Sequence, residues 1–122
     1  MSMVRRRITL TLLVAAAAIL AAMAAIAQDS AETTYLQYQR AIHAAELCRR
    51  DRPFGTPEQN RMAVYIDGKI DNAIGAGRRL QLIEQAKAEV DKLADNDGCG
   101  GKIAGILDIY YQELAPLLGG DP

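Results

Sequence analysis

A single histidine, His43, and two cysteines, Cys48 and Cys99, are all that this 122-residue sequence offers of the side chains that most often ligate metals or serve as catalytic nucleophile and base. A hydrolase triad or a zinc site needs several such groups to converge. None of the patterns H-E-x-x-H, C-x-x-C, C-x-x-C-H or G-x-x-x-x-G-K-[ST] occurs, which argues against zinc, covalent haem and nucleotide chemistry. Asp95, Asn96, Asp97 and Gly98 supply part of a calcium-loop pattern. Its spacing, however, would require ligands where Leu93 and Ile106 stand, so a solvated turn is the expectation. No stretch alternates apolar and polar residues convincingly, so strands are not expected, and no internal repeat is present. Carboxylates are plentiful but fall mainly on polar helix faces, where sheltered acid–base chemistry is hard to build. The sequence therefore reads as that of a non-enzyme with no resident cofactor.

What is present begins with Arg5, Arg6 and Arg7 ahead of an apolar run from Ile8 to Ala27, broken only by Thr9 and Thr11. The run closes on Ala25-Ile26-Ala27, a small-x-small site of the kind signal peptidase cuts. The expectation is a signal peptide over 1–27 and a single helical domain over 28–122, delivered to the periplasm. Retention of the run as a membrane anchor is the alternative, since its length suffices for a bilayer. In either case the positive amino end stays on the cytoplasmic side and the domain faces the other. After cleavage no membrane span is expected.

Residues 28–122 carry eleven basic and fifteen acidic side chains, a net charge of −4. Such a surface disfavours nucleic acid as a partner. A domain of 95 residues sits near the size at which one hydrophobic core just suffices. An oxidising compartment favours joining Cys48 to Cys99, and in the loop-entropy treatment a ring of about 50 residues stabilises the fold by roughly 4 kcal/mol.

Four amphipathic segments follow. The first, from Ala31 to Arg50, sets Tyr35, Tyr38, Ala41, Ile42, Ala45 and Cys48 on one helical face, with a thinner stripe of Leu36, His43 and Leu47 roughly opposite. Asp29, Ser30 or Glu32 is expected to cap it or complement its dipole. Pro53 and Gly55 break the chain. Thr56-Pro57-Glu58-Gln59 then reads as a helix start with Thr56 as cap. The second helix buries Met62, Ala63, Ile66, Ile70, Ala73 and Ile74, with Gly68 marking either a close contact or a weak point. Gly75-Ala76-Gly77 turns the chain. The third helix, 78–95, presents Leu80, Leu82, Ile83, Ala86, Val90, Leu93 and Ala94. After a loop over 95–101, the fourth aligns Ile103, Ile106, Leu107, Tyr110, Leu114, Leu117 and Leu118, and the tail from Gly119 to Pro122 is expected to fray. Short connections imply an all-α, antiparallel up-and-down four-helix bundle. In that topology Cys48 and Cys99 fall at the same end, so the disulfide and the bundle support each other.

The leading functional expectation is a non-catalytic periplasmic protein that binds another envelope protein or itself through Leu36, His43 and Leu47. The alternatives are a chaperone that loosens when carboxylates and His43 protonate, and a carrier with a ligand among Tyr35, Tyr38 and Tyr110 or a non-covalent haem between His43 and Met62. The helical spacing sets His43 opposite the main apolar face, which argues against a pocket shared with Met62. Arg49, Arg50 and Arg52 form a candidate anion contact at the disulfide end, although favourable charge at a helix terminus is the preferred reading of them.

Overall fold

The computed structural model describes residues 2–119. Among these there is no strand; the elements are α1 (Ser2–Ala45), α2 (Thr56–Lys69), α3 (Ala76–Asp97) and α4 (Lys102–Ile109). A π-helical turn, Glu46–Arg50, extends α1. A second, Tyr110–Leu114, followed by a 3-10 turn, Ala115–Leu118, extends α4.

Contacts between side chains fix the directions. The pairs Glu32–Arg78, Arg40–Glu89 and His43–Asp91 advance together along α1 and α3, so these helices are parallel. Arg50–Glu58 and Tyr38–Tyr65 run in opposite senses along α1 and α2, as do Tyr38–Glu113 and Cys48–Cys99 along α1 and the α4 segment. The result is the expected up-and-down bundle, closed by a disulfide with an S–S distance of 2.00 Å between residues 51 apart in sequence.

The core is one cluster in which α1 contributes Ala31, Tyr35, Tyr38, Ala41, Ala44 and Ala45. Small alanines at the end of α1 leave room for Phe54, Met62 and Ile66 to approach, and Ile103, Tyr110 and Leu114 complete the packing from the α4 side. Contacts divide the chain at Ser30/Ala31 into two units, and the core cluster lies wholly in the second. In the first, Ile19, Leu20, Met23 and Ile26 are exposed. Among the described residues no helix is long and apolar enough to cross a membrane.

Several boundaries differ from the sequence expectation. α1 is already helical through 28–34, so Asp29, Ser30 and Glu32 are interior residues rather than caps. Gly55, not Thr56, occupies the cap position of α2, and Thr56 makes no capping bond. α2 stops at Lys69 because Asp71 and Asn72 adopt left-handed backbone, which short polar side chains tolerate best after glycine. Ile70 and Ile74 remain buried from the turn itself, whereas Ala63, Ala73 and Leu80 are exposed. A Cβ added at Gly68 would meet nothing within 4 Å, which removes the close-contact reading of that glycine. α3 continues through Asp97, so Asp95, Asn96 and Asp97 lie on a helix and not in a loop. It ends at Gly98, whose φ of 65° suits glycine. The tail from residue 120 onward lies outside the described residues.

Candidate functional site

A cleft of about 660 Å³ lies over α1 between α2 and α3. Its floor is the stripe Tyr35, Gln39, Ile42, His43, Glu46 and Leu47, the i, i+4, i+7, i+8 pattern of one helix face carried into the π-turn. Gln59, Met62, Ala63 and Ile66 form the α2 wall, Ile83 and Lys87 the α3 wall, and Asp51, Arg52 and Pro53 the mouth. Met62 and Ile66 are sealed at 1% exposure, so the accessible apolar surface comes from Leu47, at 39%, with Ile42, Ala63 and Ile83 around it.

The mouth is held by hydrogen bonds to both backbone groups of one residue. Phe54 donates its N–H to Glu46 Oε2 at 3.0 Å, and its carbonyl accepts from Gln59 Nε2 at 2.8 Å. Its ring is 3% exposed, lies 4.4 Å beneath the Arg50 guanidinium and packs at 5.9 Å against Tyr110. Arg50 in turn pairs with Glu58 at 3.1 Å. At the opposite end of the cleft walls, Arg79 pins the α2–α3 turn. It donates to the Ile74 carbonyl at 2.8 Å, pairs with Asp67 and lies over the Tyr35 ring. Burial raises the Tyr35 hydroxyl above its ordinary pKa, with Arg79 opposing the shift.

The residues singled out from sequence do not stay together. His43 and Leu47 line the cleft, but Leu36 is partly buried against the core and does not. His43 Nε2 meets Asp91 Oδ1 at 2.8 Å. Met62 lines the same cleft as His43, contrary to the helical-wheel expectation, because the cleft reaches round from the main face of α1. The imidazole nitrogen is nevertheless engaged by Asp91. The three arginines disperse: Arg50 is stacked and paired, Arg49 lies over Tyr111 at 5.5 Å, and Arg52 is exposed at the mouth. The tyrosines also part. Tyr35 lines the cleft, Tyr38 turns to Tyr65 and Glu113, and Tyr110 packs on Phe54 and Tyr111. Arg78 pairs with Glu32, and that bond raises its pKa.

Sequence reasoning missed Glu46 and Gln59 as the pair that fixes the mouth. The signal present was their spacing from Phe54, eight residues back and five forward, which has meaning only once the turn brings them together. The His43–Asp91 contact orients an imidazole, but the cleft lining holds no serine, threonine or cysteine to act with it. Among the described residues no group of three or more His, Cys, Asp or Glu side chains is placed to hold a metal ion. No family model, curated protein or solved structure matches this chain.

Proposed function

We propose that the domain is a non-catalytic binding protein of the cell envelope whose cleft receives an apolar segment of another envelope protein. The observation that carries this reading is Leu47, 39% exposed beside Ile42 and Ile83 in a cleft whose mouth is fixed by Phe54. An exposed leucine alone needs no explanation, but one set in a walled apolar groove matches the way grooves accept helical or extended partner segments. Delivery to the envelope rests on the arginine-led apolar run and its Ala25-Ile26-Ala27 ending.

The test is site-specific photo-crosslinking in exporting cells, with the photoreactive residue at position 47 and, for comparison, at the exposed outward position of Val64. The expected result is a discrete adduct from position 47 that Ile83→Asp abolishes and position 64 does not form. Equal labelling from both positions, or none from 47, would overturn the reading.

The cleft volume favours a second reading, a small apolar ligand, because about 300–1,000 Å³ is the usual size of such sites. Native mass spectrometry of the protein collected from the exported fraction separates the two. A bound mass of a few hundred daltons would support the carrier, and a bare chain with a position-47 adduct would support the protein partner.

A further inference from the structure

Away from the cleft, one carboxylate gathers two helices onto the end of the α4 segment. Glu113 lies in the π-turn Tyr110–Leu114, flanked by the buried residues Tyr110 and Leu114. Its Oε1 accepts from Tyr38 of α1 at 2.7 Å and from Tyr65 of α2 at 2.8 Å. The two phenol rings meet edge to face at 5.9 Å, so the donors hold each other in place around the shared oxygen. Lys69 of α2 lies 5.1 Å over the Tyr65 ring and adds positive charge near the carboxylate. Tyr38, Tyr65 and Lys69 are the titratable groups that act on Glu113.

We propose that Glu113 is an acid-released latch, whose ionised carboxylate ties the C-terminal turns to α1 and α2 and whose protonation lets those turns detach. α4 is then secured at its two ends by different means. Cys99, just before it, is covalently joined to Cys48, while Glu113, just after it, depends on charge. Beyond the latch, Leu114 and Leu118 are buried, and release would bring both into contact with water.

An ionised carboxylate only accepts, and it accepts strongly from a phenol. The two tyrosine bonds accordingly hold the Glu113 carboxyl below its ordinary pKa, while burial first and the Glu113 bond second push Tyr38 well above its own. A depressed folded pKa means that the latch contributes its full stability above the unfolded-state value and loses it as pH falls through the folded value. The release therefore occurs on the acid side of the ordinary carboxylate range. Glu113 and Tyr65 are only partly buried, so protons reach the site without unfolding of the core.

The chain has no tryptophan, so its tyrosine emission is directly observable, and a phenol bonded to a carboxylate is quenched. The experiment titrates the full chain downward from pH 7, following tyrosine emission, far-UV ellipticity and hydrogen exchange over 110–118 normalised to intrinsic rates. Emission should rise below the ordinary carboxylate range while helicity is largely retained. Glu113→Gln should emit strongly at pH 7, lack the transition and exchange over 110–118 at least about tenfold faster, since both tyrosine bonds lose their charged acceptor. Tyr38→Phe removes one donor and should move the midpoint toward higher pH, which keeps the test available if Glu113→Gln does not fold. A transition that persists in Glu113→Gln would overturn the proposal. So would an unmoved midpoint in Tyr38→Phe, or a wild-type emission change that coincides with loss of all helicity.

Discussion

Phe54 is the side chain on which the disulfide end of the bundle turns, since its ring, N–H and carbonyl each have a dedicated partner in a different stretch of chain. Replacing it with alanine should cost about 3–5 kcal/mol, as for other buried aromatics, and should loosen the cleft mouth. Chemical denaturation gives the first quantity, and exchange of amides 51–55 reports the second. Gly68 offers the opposite case. It lies inside α2 with open space where a Cβ would stand, so Gly68→Ala should stabilise by about 0.5–1 kcal/mol, read as a rise in the denaturation midpoint. At this scale the sequence was legible where periodicity alone decides, as for Met62, Ile66, Val90 and Ile103, all buried as the spacing requires. It was not legible for Glu113. Its place in the sequence gives no sign that two tyrosines, 48 and 75 residues earlier, will converge on its carboxylate.

At the scale of elements, the bundle order could be read because short connections and two cysteines at one end leave few topologies. The two π-helical turns could not. A widened turn changes the period for only five residues and leaves no mark in composition, yet one carries Cys48 and the other Glu113. The end of α2 was readable in principle from Asp71-Asn72, a pair suited to left-handed backbone, but the isoleucines on either side kept the helical spacing and masked it. The disulfide joins the π-turn of α1 to the glycine-rich segment before α4. Reducing it should lower stability by roughly 4 kcal/mol on loop entropy alone. Comparison of unfolding with and without a thiol reductant measures this. A much smaller loss would indicate that Phe54, Arg50 and Glu58 hold the same end by themselves.

At the scale of the molecule, the core cluster among the described residues lies at or after Ala31. A chain beginning at Gln28 should therefore unfold with the same thermal midpoint as the full chain, measured by circular dichroism. Stability should also fall in alkali. Tyr38 and Tyr35 have raised folded pKa values, so their contribution is complete below the ordinary tyrosine value of about 10 and declines as the pH rises above it. Denaturant midpoints taken across that range test the sign, and Tyr38→Phe should flatten the decline.

The bond between Cys48 and Cys99 makes a covalent ring that contains all of α2 and α3, and so both walls of the cleft. One cut by a protease anywhere within that ring opens it without parting the chain. The nicked protein keeps its full mass under non-reducing conditions and divides into two pieces only when the sulfurs are reduced. Damage to either wall can thus be carried without the domain falling apart.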